Sequence, residues 1–249
     1  MNARASSDPV RLQSSMLSAA EKRLLVRMAR ALPAWVNPDH LTGLALAAMV
    51  LAGASYWLAA RRPEGLLLAT LFLAVNWFGD SLDGTLARVR GTQRPRYGFY
   101  VDHVVDAIGT ACLLGGLSLS GYMTPVIALV LLVAWSLVTV EVYLATVVTG
   151  TFRMAFLAVG PTELRILLAV GNAWVVFDPA VTLAGRTWLL FDVGGVAGAA
   201  GLAAAFLVSA ARNGRALYLA EPLRPAPGRE PPQNAHPAPP VVRSGRTTP

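Results

Sequence analysis

Leu41 to Ala60 reads LTGLALAAMVLAGASYWLAA, a run of 20 residues without a charge. At 1.5 Å of rise per residue, a helix of that length covers the hydrocarbon core of a bilayer, about 30 Å thick. Inside lipid every backbone N–H and C=O has to be satisfied within the segment, so the run is read as a spanning helix. The whole chain agrees with this reading. Its 249 residues are 55% hydrophobic and 14% charged, and a mean hydropathy of +0.51 excludes an ordinary soluble globule.

Working outward, further apolar segments run over 65–86, 99–120, 125–149, 161–178 and 192–211, giving six candidate spans. With both termini cytoplasmic, 18 of the 21 Lys and Arg residues fall inside, leaving Arg61, Arg62 and Arg186 outside. Dropping the fifth span, which Asp178-Pro179 closes early, would strand the basic tail on the wrong side. The expected fold class is therefore all-α: a polytopic membrane protein of six transmembrane helices preceded by an N-terminal amphipathic interfacial helix. Expected boundaries are a flexible N-terminus over 1–15, the juxtamembrane helix over 16–36, the six-helix domain over 37–218 and a disordered Pro-rich tail over 219–249. MNARASSDPVRLQSS, at the start, lacks an apolar region followed by a small-residue cleavage site, so insertion through the chain's own spans is expected.

The juxtamembrane segment, SAAEKRLLVRMARAL, opens with a Ser18–Glu21 capping box. Leu17, Leu24, Leu25, Met28 and Leu32 share one stripe, and Lys22, Arg23, Arg27 and Arg30 lie largely on the other. That pattern suits the cytoplasmic leaflet or a face packed on the protein. The lone Cys112 excludes an intramolecular disulfide and any Cys-based metal site. Although the net charge is +7, the basic residues are spread between spans rather than gathered into a patch, so no nucleic-acid partner is expected.

Between Asp80 and Asp106 this greasy chain keeps four of its 14 acidic residues. Asp80 and Asp83 are three apart and Asp102 and Asp106 four apart, so each pair shares a helix face. The first pair lies near the end of the second span and the other near the start of the third, and a short connection is expected to bring them together. Unpaired, the four charges would repel and lose hydration at several kcal/mol each. Salt bridges to Arg88, Arg90, Arg94 and Arg96 are one answer. Hard divalent cations, Mg2+ or Mn2+, are the other, because the ligand set is all oxygen, and such ions suit a phosphate or diphosphate substrate. Gly84 and Ala87 keep the helix surface low, and Arg88 offers a fork for phosphate oxygens.

The residues DSLDGTLAR, Asp80 to Arg88, followed by GFYVDHVVD, Gly98 to Asp106, resemble the signature of the CDP-alcohol phosphotransferase family. All eight fixed positions match, and the spacer between Arg88 and Gly98 is nine residues where the family has about eight. NPDHLTGLAL, Asn37 to Leu46, is similar to the opening of the family's first span. The resemblance covers roughly residues 16–215. It implies that Asp80, Asp83 and Asp102 hold two divalent ions, that Asp106 touches a metal and serves as base, and that Gly84, Ala87, Arg88 and Gly98 line the CDP site. It also implies a lesser part for Asn37 and Thr42 at the nucleotide mouth. The implied reaction passes a phosphate-bearing group from a CDP-linked donor to an alcohol and releases CMP.

His103 resembles the Asp-His of the choline and ethanolamine branch, where CDP carries the alcohol and diacylglycerol accepts. It either takes a proton or faces away as a hydrogen-bonded partner. The length and the six spans look more like the bacterial type, in which CDP-diacylglycerol donates to a small polar acceptor. Arg153 and Arg165 are candidate anchors for an anionic acceptor, with an Arg165–Glu163 helix cap as the alternative. Glu141 lies at lipid depth and needs either an arginine partner or a polar ligand. Gly194 and Gly198, four apart, suit a homodimer contact or internal packing. A divalent-cation transporter is the non-enzymatic alternative, but its charges would be spread through the membrane depth. The expected location is a bacterial inner membrane with the site on the cytoplasmic side.

Overall fold

The computed structural model describes residues 18–149 and 161–221. In chain order these form α1 (Ser18–Ala31), α2 (Pro38–Ala59), α3 (Glu64–Arg90), α4 (Pro95–Ser118), α5 (Pro125–Thr149), α6 (Pro161–Val175), strands β1 (Ala180–Leu183) and β2 (Arg186–Leu189), and α7 (Leu190–Ala220). The protein is an all-α polytopic membrane protein. Five helices, α2, α3, α4, α5 and α7, are long and apolar enough to cross a membrane. The expected fifth span is represented by α6, whose 15 residues begin at the edge of the described region and cover about 22 Å. The tail beyond Glu221, Arg153 and the extreme N-terminus lie outside the described residues.

Local chemistry accounts for the helix ends nearest the carboxylates. Asn37 caps α2 reciprocally with His40, and Pro38 occupies the first turn, where its missing N–H costs nothing. Gly91 ends α3 in the left-handed region at φ 66°, a conformation glycine adopts without a Cβ penalty. At the opposite end, the Asp192 carboxylate of α7 accepts from Thr124 N and Oγ1, both at 2.6 Å, and so caps the start of α5. A two-residue hairpin turn, Ala184-Gly185, joins β1 to β2 with positive φ at both positions, the geometry that matches strand twist.

α2 is the spine of the bundle. Both α3 and α4 pack along it and make little direct contact with each other, yet the carboxylate-bearing ends come within electrostatic reach. The α2–α4 contact is backbone on backbone: a Cβ added at Gly53 would sit 2.2 Å from the Cys112 carbonyl oxygen. In lipid, where apolar burial drives little association, such close approach is what holds helices together. α6 is tied in by a buried polar chain in which the Tyr56 hydroxyl donates to Asn172 Oδ1 and Asn172 Nδ2 donates to Thr70 Oγ1, each at 2.9 Å.

α1 packs on the carboxylate end of the bundle through Leu25 and Ala29, which join Val36, Leu41, Leu82 and Leu86 in one apolar cluster. Lys22, Arg23, Arg27 and Arg30 stay exposed. The stripe thus serves a protein contact, while Leu24 remains 47% exposed beside it. Glu21 Oε1 accepts from Trp77 Nε1 at 2.9 Å and Thr162 Oγ1 at 3.0 Å, joining α1 to α3 and α6.

Candidate active site

Asp80 and Asp83 lie on α3, and Asp102 and Asp106 on α4; all four are partly buried. Asp106 is within electrostatic reach of the other three carboxylates, and Asp83 of Asp80 and Asp102. As they stand, no three Asp, Glu, His or Cys side chains among the described residues converge into a closed coordination shell.

One counter-charge comes from a residue remote in sequence. Arg165 of α6 donates to Asp80 Oδ2 at 2.6 Å, with both side chains mostly buried. Arg165 thereby ties α6 to the carboxylate set. Arg90 instead donates to the carbonyls of Leu32 and Pro33 and to that of Val36, clamping the α1–α2 elbow. Arg94 donates to both carboxylate oxygens of Asp39, a hydrogen bond that raises the guanidinium pKa, and lies 4.2 Å over the Tyr97 ring. Arg88 folds over Gly84, donating to Thr85 Oγ1 at 3.0 Å. A Cβ at Gly84 would meet Arg88 at 3.4 Å, whereas Gly98 is exposed with open space above it.

α2 contributes Thr42, whose hydroxyl donates to Asp83 Oδ2 at 2.7 Å. Asn37 is committed to its helix cap, Asn37 Oδ1 accepting from His40 N at 2.9 Å. Ala87 lies one turn beyond Asp83 on α3, partly buried. His103 is buried, its Nδ1 against the Phe99 carbonyl at 2.6 Å and its ring between Phe99 and Tyr143, with Asp102 Oδ2 3.7 Å away. Glu141, read as needing either an arginine partner or a polar ligand, accepts from Ser209 Oγ and Asn213 Nδ2 of α7, both at 2.7 Å. Of the glycines in α7, Gly195 packs on Ile127 and Met123 and Gly198 on Leu131, while Gly194 has open space above it.

Two residues were missing from the sequence reading. Tyr143 carried no motif, and Glu21 was assigned to a local cap. Only the fold brings α5 and α1 to this end of the bundle.

Four carboxylates and no sulfur or free imidazole form a donor set that fits hard divalent cations. Together the bundle and this acidic cluster describe a membrane-embedded helical protein with carboxylates gathered at one end. The particular family follows from comparison: a model described as CDP-alcohol phosphatidyltransferase matches residues 35–207, and the chain belongs to that family. Its members are transferases of phosphate groups and generally depend on divalent metal. An archaetidylinositol phosphate synthase of Pyrococcus horikoshii is 33% identical over 86 residues, 34% of this chain and 43% of that protein. The chain therefore matches less than half the length of that relative. The phosphatidylinositol phosphate synthase of Mycobacterium tuberculosis, solved with CDP-DAG bound, has a similar fold, with a TM-score of 0.54 at 19% identity over 79% of this chain and 94% of that one.

Proposed function

We propose that this protein transfers a phosphatidyl group from CDP-diacylglycerol to a small polar alcohol and releases CMP. The observation that carries the reading is the pair of opposed carboxylate sets on α3 and α4, Asp80 with Asp83 and Asp102 with Asp106, standing in the family's signature spacing. Family membership and the CDP-DAG bound to the mycobacterial relative support the choice of donor.

Asp80, Asp83, Asp102 and Asp106 would hold two divalent ions, Mg2+ or Mn2+, which when bound neutralise the donor's diphosphate. Asp106 takes the proton from the acceptor hydroxyl. The acceptor oxygen then forms a bond to the phosphorus that carries the lipid, and the bond from that phosphorus to the bridging oxygen breaks. The electron pair leaves on the phosphate of CMP, and the proton stays on Asp106 until solvent removes it. Arg88, folded over Gly84 beside the open surface at Gly98 and low Ala87, supplies a guanidinium fork for phosphate oxygens. Thr42 orients Asp83, and Asn37 shapes the mouth as the cap of α2. His103 acts as a positioning residue, its ring packed against Phe99 and Tyr143. Arg165, with Arg153, provides positive charge for an anionic acceptor.

The surplus of Lys and Arg at the carboxylate end supports a bacterial inner-membrane location with the site and both termini cytoplasmic. The open surface at Gly194 leaves room for a homodimer contact. The test is CMP release by purified protein with Mn2+ or Mg2+, offering CDP-diacylglycerol with inositol 1-phosphate, glycerol 3-phosphate or serine, and CDP-choline with diacylglycerol. Acceptor-dependent CMP from the first donor, lost in a folded Asp106→Asn variant, is expected. CMP from CDP-choline alone, or from neither donor, would overturn the reading.

A further inference from the structure

Tyr143 belongs to none of the motifs that point to the site, yet α5 delivers it there. Its ring meets His103 edge-on with centroids 4.7 Å apart and Phe99 at 6.3 Å, while Phe99 and His103 lie 4.1 Å apart. The three rings form one aromatic cluster that joins α4 to α5 beside the carboxylates. Both Asp106 and Asp102 are within electrostatic reach of the phenol group. No described residue hydrogen-bonds that hydroxyl, although polar groups at bilayer depth are normally partnered.

Two groups of residues flank the carboxylates. On the α2–α3 side are Gly84 and Arg88, which the signature resemblance assigns to the CDP site, and Thr42 bonded to Asp83. On the other side α5 and α6 bring Tyr143 and Arg165 toward Asp106, the base of the proposed reaction. A ligand group that needs both a neutral hydrogen-bonding partner and access to Asp106 is the alcohol that gives up its proton. We propose that Tyr143 is a specificity-determining residue of the acceptor subsite: its hydroxyl hydrogen-bonds the polar acceptor and turns the attacking oxygen toward Asp106. The ring contacts to His103 and Phe99 fix where that hydroxyl stands. This inference rests on the transferase reading above and assigns one residue within it.

Tyr143→Phe isolates the claim, because it keeps the ring and removes only the hydroxyl. With CDP-diacylglycerol and the preferred acceptor of the panel, the acceptor KM is expected to rise about 3- to 10-fold, the worth of one hydrogen bond. The donor KM stays within twofold. A second readout is thermal stabilisation of the Mn2+-loaded protein by inositol 1-phosphate or glycerol 3-phosphate, which the variant should lose in large part while keeping its own Tm. An unchanged acceptor KM, or acceptor and donor KM rising together, would overturn the assignment. The two ideas fail separately: absence of CMP from wild type removes the transferase reading, and stabilisation by the phosphate probes that is equal in wild type and variant removes Tyr143 from the acceptor subsite.

Discussion

Replacing Arg165 with methionine removes the guanidinium from Asp80 and keeps a side chain of similar length on α6. At 2.6 Å and an effective dielectric of about 20, the gross attraction is about 6 kcal/mol. The net value is much smaller, because the two side chains remain 16% and 23% exposed and both lose hydration. Exposed pairs contribute up to about 1 kcal/mol, and breaking a fully buried one costs about 3–5 kcal/mol. A cost of about 2 kcal/mol is therefore expected, which corresponds to a Tm lower by about 4–8 °C for a domain of this size. Asp80→Asn should soften the effect, since it removes the charge that Arg165 would leave unpaired. A double-mutant cycle followed by thermal unfolding in detergent isolates the pair. Mn2+ or Mg2+ should recover more of the lost Tm in Arg165→Met than it adds to wild type, because a cation replaces the missing counter-charge. Additive effects in the cycle, or an Arg165→Met protein within 1 °C of wild type, would refute the claim that this contact neutralises the carboxylate set.

Gly53→Ala pushes a methyl group to 2.2 Å from the Cys112 carbonyl oxygen; a loss of about 3 kcal/mol or failure to fold is expected, read as yield and Tm. Gly43→Ala, with nothing within 4 Å, is the tolerated control. Glu141→Ala leaves Ser209 and Asn213 facing an apolar interface without their acceptor and should cost about 2–4 kcal/mol. Retention of wild-type Tm would contradict a structural role for that carboxylate at the α5–α7 contact.

The spans were legible because bilayer thickness imposes a length that composition alone can meet, and four of the segment estimates fall on α3, α4, α5 and α7. The weak fifth segment, ended by Asp178-Pro179, corresponds to the shortest of the bundle helices. Hairpin β1–β2 went unread, since Ala-Gly is a poorer turn signal than Asn-Gly and the strands are only four residues each. The carboxylates were legible from i, i+3 and i, i+4 spacing, which is local. The partners supplied by other helices were not, because they are remote in sequence: Arg165 lies 85 residues from Asp80 and Thr42 lies 41 from Asp83. Arginines near the carboxylates in sequence were the natural candidates, but Arg90 and Arg94 stand at and beyond the end of α3 and are drawn to the α1–α2 elbow instead. Spacing identifies which groups share a face of one helix, and only packing decides what stands opposite.

That packing also explains how four like charges are held at one end of an apolar bundle. Repulsion between the Asp80–Asp83 and Asp102–Asp106 sets acts to separate α3 from α4, and direct contact between those helices would have to oppose it at the site itself. Instead each helix is fastened to α2 at backbone distance, α4 through Gly53 and Gly116 and α3 through Gly79 against Leu41. Buried Ala45, Ala48 and Ala52 leave α2 thin along these contacts. Asn76, one turn before Asp80, adds a bond from Nδ2 to the Ala45 carbonyl at 3.0 Å. The width of one helix therefore sets the separation of the carboxylate sets, and that width barely changes with ligand or pH. A gap fixed by backbone contacts is suited to a site whose charged groups have to stand ready before substrate arrives, because little reorganisation is left for the reaction itself.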